Sequence, residues 1–205
     1  MTLSAQLWSA NADIADDVLA HPFVRGIADG SLPREAFARY VAQDAFFLES
    51  FARAYALALA HSPDTTTLLT LADLIAGVRQ ELGLHASYAA SWGIDMAGVE
   101  PLPATLAYTE FLLSTAATRD LGVIFAAMTP CMRLYAWLGA SLDARSAGPY
   151  APWVQTYADP EFDSIATALE QLLDDAGDTA AVRTAYRRAM QLELGFFEAA
   201  LQPRR

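Results

Sequence analysis

Apolar side chains recur at helical spacing along nearly the whole chain. Over residues 34–61, Phe37, Tyr40, Val41, Phe47, Leu48, Phe51 and Tyr55 follow i, i+3, i+4 and i+7 steps, the buried face of a 3.6-residue repeat. Pro33 suits the first position of this helix, and Ser62-Pro63-Asp64 ends it. The same periodicity predicts helices over 66–92, where Gly93 stops the run, and over 104–118, 121–142, 161–175 and 179–201. Residues 3–28 read as two short helical pieces divided at His21-Pro22, and 30–33 as a turn. Residues 98–103, beginning at Gly98, read as a loop. Residues 145–152 are the most loop-like stretch, followed by a short helix around Trp153 and a turn at Asp159-Pro160. No run alternates long enough to predict a strand. No polar linker divides two cores. The pattern predicts one all-α domain of roughly eight helices over residues 1–205.

Composition narrows the class. A chain of 205 residues that is 54% hydrophobic and 18% charged has ample material for a core. Its formal charge of −11 argues against nucleic acid and against anionic membrane surfaces, since both are bound through Lys and Arg. Uninterrupted apolar runs such as 55–60 are far shorter than the ~20 residues a membrane span needs. No basic-then-apolar start marks a secretory signal, and a single cysteine suits a reducing compartment; both predict a cytoplasmic protein.

That cysteine, Cys131, follows Pro130 in the middle of a helical pattern. Proline removes a backbone donor and clashes with the preceding turn, so the helix is expected to bend or restart there, freeing carbonyls beside the thiol. Tyr135 follows one turn on, on the same face. A lone cysteine is usually a small buried hydrophobe, but two carboxyls also sit in apolar stripes. Asp44 lies between Tyr40, Val41 and Phe47, Leu48, where a carboxylate costs several kcal/mol unless partnered. It is either a structural ion pair or an acceptor gripping a polar ligand edge. Glu193 lies among Met190, Leu192, Leu194, Phe196 and Phe197, surroundings that raise a carboxyl's pKa toward that of a general acid–base. A helix-boundary glutamate half in water is the plain alternative. Tyr108, Tyr135 and Tyr157 would each need a hydroxyl partner if buried, and Trp153 with Tyr157 reads as an aromatic lid. Glu81 and His85 have the i, i+4 spacing of a helical metal pair. The repeated Glu-x-x-His pattern of a carboxylate-bridged di-metal site is absent, and so are the Gly-rich nucleotide motifs; no metal and no cofactor are expected.

Taken in order, these segments resemble the TenA family, the thiaminase II enzymes of thiamin salvage. The carrying residues are His21-Pro22-Phe23 with Gly30-Ser31-Leu32, then Phe37-x-x-Tyr40-x-x-Gln43-Asp44 and Phe51-Ala52-Arg53. They continue with Glu81-x-x-x-His85, Tyr108-x-x-Phe111-Leu112, Pro130-Cys131-x-x-x-Tyr135, Trp153-x-x-x-Tyr157 and Glu193-x-x-Phe196-Phe197. The resemblance implies a haem-oxygenase-like helical bundle without haem, working as a homotetramer on a small molecule, an aminopyrimidine or thiamin. It implies deamination of aminomethylpyrimidine to hydroxymethylpyrimidine and cleavage of thiamin at the pyrimidine methylene. Carried over by motif, Cys131 is the nucleophile, Glu193 the proton donor and Asp44 the residue holding the ring amidine. Tyr135 and Tyr157 bind the substrate, and Tyr108 matches a pocket aromatic. The chain departs at Phe47, where members often carry a Tyr whose hydroxyl is thought to assist the cysteine, and at Phe197, where Trp is common. Two other readings stand beside this one: an oxidase on the same bundle, metal-dependent or quinone-forming, and a non-enzymatic small-molecule binder with a regulatory role.

Overall fold

The computed structural model describes residues 1–94 and 99–202, so Gly98, the predicted start of a loop, lies outside the described residues. The described residues hold ten α-helices and no strand. The first predicted piece divides once more than expected, into α1 (Leu3–Ala10), α2 (Ala12–Ala20) and α3 (Pro22–Ala28). The extra break falls at Asn11, whose side chain turns back to donate to the Leu7 carbonyl at 2.7 Å. Then follow α4 (Arg34–Ala60), α5 (Thr65–Trp92), α6 (Pro103–Thr118), α7 (Leu121–Ser141), α8 (Ala151–Tyr157), α9 (Pro160–Asp174) and α10 (Ala180–Leu201). A 3-10 turn, Gly148–Tyr150, leads into α8.

Local chemistry sets the ends. Side chains of Thr2, His21, Asp64, Asp120, Asp159 and Thr179 accept from the first free amides of six helices, the usual role of an N-cap. Gly93 adopts the left-handed conformation, φ 65°, that closes α5. Helix α4 packs between α5 and α6, and α7 between α9 and α10. Buried residues from Leu3 to Ala200 form one apolar cluster.

Helix α7 runs through Pro130 as one helix, so of the bend or restart expected there the restart does not occur. The Thr129 hydroxyl donates to the Phe125 carbonyl at 2.8 Å, while the Ala126 carbonyl loses its usual i+4 donor because proline has no N–H. Helix α7 is also long and apolar enough to cross a membrane by composition, which a search for unbroken apolar runs does not detect. Its apolar window is 72% buried inside the fold, as suits a helix packed on nearly every side.

Gly139 lets α8 approach α7. A Cβ placed there would lie 2.2 Å from the Tyr157 carbonyl carbon. Gly139→Ala is therefore expected to destabilise the protein by at least ~1–3 kcal/mol through overpacking. Thermal melts should show a Tm lower by roughly 3–10 °C for a chain of this size.

Candidate active site

Four helices converge on the thiol. Cys131 from α7 lines a nearly closed cavity with Asp44 and Phe47 from α4, Glu81 from α5, Tyr135 from α7 and Phe162 from α9. The space left is ≈ 10 Å³, room for about one water. Of the residues predicted from sequence, Cys131, Asp44, Phe47 and Tyr135 face this cavity directly. Glu193 and Tyr108 stand behind the thiol, and Tyr157 stands behind Tyr135, ring against ring at 4.7 Å.

Glu193 on α10 is buried, and the Tyr108 hydroxyl donates to its Oε1 at 2.7 Å. The Cys131 thiol is its second partner. Burial raises the Glu193 carboxyl to about 8; the charge of Asp44 adds to this, and the contacts from Tyr108 and Cys131 offset only part of it. Burial also pushes the thiol well above its usual range, and Glu193, Glu81 and Asp44 push it further. Cys131 is thus held as a thiol beside a carboxyl that gains and loses its proton near neutrality.

On the other wall, His85 Nε2 lies 2.9 Å from Asp44 Oδ2, with both side chains buried. That contact is the one partner of Asp44 Oδ2 among the described residues, and His85 Nδ1 on the far side of the ring has no hydrogen-bond partner. Burial alone would lower the imidazole pKa, but the charge and contact of Asp44, with Glu81 beyond, outweigh it and raise it. Glu81 is raised to about 7 by burial and by Asp44, against the opposing pull of His85 and a 2.7 Å hydrogen bond donated by Tyr157. Asp44, Glu81 and His85 each offer a ligand atom, all within 4.8 Å of one another, so these three could hold a cation. Sequence spacing found Glu81 and His85 as a pair but not the aspartate opposite, which comes from another helix.

Other aromatic contacts brace these walls. Trp153 is 1% exposed, so it is not a lid; its indole N–H donates to the Tyr40 hydroxyl at 3.2 Å, and Tyr40 donates to Tyr135 at 3.2 Å. Phe47 packs on Tyr108 at 4.7 Å and on Phe51 at 5.4 Å. Gln43, beside Asp44, has a different task. Its Oε1 accepts from the Leu102 amide at 2.7 Å and from the Thr105 hydroxyl at 2.6 Å, tying the start of α6 to α4.

This arrangement has relatives. The model of the TENA/THI-4/PQQC family matches residues 8–202. The chain belongs to that family. It is 33% identical to an aminopyrimidine aminohydrolase of Halalkalibacterium halodurans, over all of this chain and 97% of that protein. It is 35% identical to the mitochondrial bifunctional TH2 protein of Arabidopsis thaliana, over 87% of this chain, and spans about a third (34%) of that longer protein. A crystal structure from Silicibacter, described as a TenA family transcription regulator, superposes with a TM-score of 0.91 at 29% identity, over 97% of this chain and 96% of that one. A Shewanella denitrificans domain of haem oxygenase-like fold, 17% identical, superposes at 0.69 over 96% of this chain and 90% of that one and shares the fold. As a member of the TENA/THI-4/PQQC family, the chain has the helical bundle that its periodicity predicts.

Proposed function

We propose that this enzyme is an aminopyrimidine aminohydrolase of thiamin salvage, a hydrolase that exchanges the group on a pyrimidine methylene for water. One observation carries the reading: a thiol hydrogen-bonded to a buried carboxyl shares one cavity with a buried aspartate held from behind by His85. Several relatives named aminopyrimidine aminohydrolase support the same class.

The chemistry follows from that geometry. The aminopyrimidine's exocyclic amine donates to Asp44, and the ring lies among Phe47, Tyr135 and Phe162, which exclude water. Tyr135 ends the donor chain from Trp153 and Tyr40, so its own O–H can turn to the substrate. Ionised Glu193 takes the thiol proton as Cys131 sulfur adds to the ring, and the ring becomes an anionic adduct. Glu193 then gives the proton to the departing amine. The carbon–nitrogen bond breaks, and a neutral adduct with an exocyclic methylene remains. Water adds to that methylene and its proton goes to Glu193. The ring regains aromaticity by expelling sulfur, which recovers the proton. The sum is amine plus water giving alcohol plus ammonia, with the enzyme unchanged. From a substrate that carries a thiazolium, the same bond cleavage releases neutral thiazole without a proton; Glu193 then passes the thiol's proton to solvent before it takes one from water, and the sum releases one proton.

Purified protein assayed in parallel with aminomethylpyrimidine, its formylated derivative and thiamin should release hydroxymethylpyrimidine from at least one of them. No release from any of the three would refute the proposal. One observation favours a second reading, a metal-dependent oxidase: the cation-sized cluster of Asp44, Glu81 and His85. Against it, the His85 imidazole already lies against the Asp44 carboxylate at 2.9 Å, where a cation would have to sit. Stoichiometric transition metal in the purified protein, with activity lost on chelation, would favour the oxidase.

A further inference from the structure

The catalytic cavity is too small for a pyrimidine ring as it stands, so some wall must move. Part of that wall has space behind it. Between α5, α8 and α9 lies a second cavity of ≈ 240 Å³ that shares Glu81, Met132 and Phe162 with the catalytic one. The larger surface hollows at Trp92 and at Arg188 share no lining residue with it. Of the three dividing side chains, Met132 is flexible, Phe162 is half-buried near the start of α9, and Glu81 is held by Tyr157.

The second cavity shows two further signs of a ligand site. Tyr55 lines it and is fully buried, yet its hydroxyl has no hydrogen-bond partner, a costly state unless something accepts from it. Asp159, Glu161 and Glu81 line the cavity, and among the described residues no Lys, Arg or His does. An occupant that is neutral or cationic and carries a hydrogen-bond acceptor fits these walls; an anionic one does not.

We infer that this cavity is the entrance to the catalytic site and receives the leaving half of the substrate, with Phe162 and Met132 as the movable partition. The inference rests on the aminohydrolase reading and adds a prediction of specificity to it. Ammonia, the leaving group of aminomethylpyrimidine, needs no such room. A thiazole bearing a hydroxyethyl arm does. The cavity therefore fits the enzyme for substrates with a bulky, uncharged or cationic leaving group.

Gly77 supplies the means to test this. It lies on the cavity wall in the interior of α5, and a Cβ there would meet Ile165 alone, its Cδ1 at 3.4 Å and its Cγ2 at 3.9 Å. A larger side chain at 77 fills the cavity without touching Cys131, Glu193 or Asp44, and replacing a mid-helix glycine favours the helix. The kcat/KM values of wild type and Gly77→Leu are to be compared for aminomethylpyrimidine and thiamin. The expected result is a fall of roughly tenfold or more for thiamin, with aminomethylpyrimidine changed less than about threefold. Tyr55→Phe, which keeps the shape and removes the hydroxyl, should raise KM for thiamin selectively and in the same direction. Equal effects on both substrates in the two variants, or none on either, would overturn the inference while leaving the aminohydrolase reading intact. A wild-type enzyme that turns over aminomethylpyrimidine or its formylated derivative but not thiamin would likewise overturn the inference alone, and one that turns over none of the three would overturn the reading on which it rests.

Discussion

Cys131→Ser is expected to lower turnover by at least about three orders of magnitude, or ~4 kcal/mol in the barrier. Serine is close in size and keeps a hydrogen bond to Glu193, so the fold and substrate affinity should change little. What it lacks is sulfur's ease of addition to an electron-poor ring and of expulsion afterwards. A hydroxyl in the same acidic surroundings is harder still to ionise than the thiol, which burial and three carboxyls already hold protonated. Steady-state rates with a binding measurement on hydroxymethylpyrimidine separate the two effects. A Ser variant retaining more than about a tenth of wild-type turnover would remove covalent catalysis from the mechanism.

The second large effect belongs to Glu193→Gln. Glutamine can accept from Tyr108 and fill the same space, but it cannot carry a proton from thiol to leaving group. The expected loss is about 10²–10⁴ in kcat with a small change in KM. The same variant should alter stability in the opposite sense. Glu193 is raised from an ordinary 4.5 to about 8 in the folded protein. Between those values the folded state holds a proton that the unfolded chain has released. Stability is therefore greatest below the lower value and falls as pH rises toward the higher one, at up to roughly 1.4 kcal/mol per unit. Glutamine removes that slope. Melts between pH 5 and 8.5 should show Tm falling less steeply for the variant, which ends up more stable than wild type at the alkaline end. Glu81, raised to about 7 by the same burial, keeps a smaller slope in both proteins. A wild-type Tm that rises across this range would show that Glu193 is ionised more readily in the fold than out of it.

The long helices were legible because their punctuation is local: Pro33, the Ser62-Pro63-Asp64 turn, Gly93 and Asp159-Pro160 act within a few residues of themselves. Asn11 carried a weaker signal of the same kind, and the break it makes between α1 and α2 was not predicted. The candidate site was legible residue by residue, because Asp44 and Glu193 are carboxyls set in apolar stripes and such positions demand partners. The partners themselves were not legible. Tyr108 meets Glu193 across 85 positions, Tyr157 meets Glu81 across 76, and Tyr40 meets Tyr135 across 95. Helical spacing says which face a residue shares with its own neighbours and nothing of which helix stands opposite. His85 and Glu81 show this most directly: their i, i+4 relation pointed to a pair, and only packing of α5 on α4 supplied Asp44 as the third member. Trp153 was misread for a related reason. An aromatic in a short helix after a loop can cover a site or fill a core, and its burial against Tyr40 decides for the core.

The acids around the lone thiol carry a consequence for its durability. Peroxide and disulfides react with thiolate, and Cys131 is held in the protonated form at neutral pH by burial and by Glu193, Glu81 and Asp44. If Cys131 is the nucleophile proposed above, it is a poor target for oxidants between turnovers, and the protein should lose activity to peroxide more slowly than enzymes with a standing thiolate, with no second cysteine in the chain to protect it by disulfide formation.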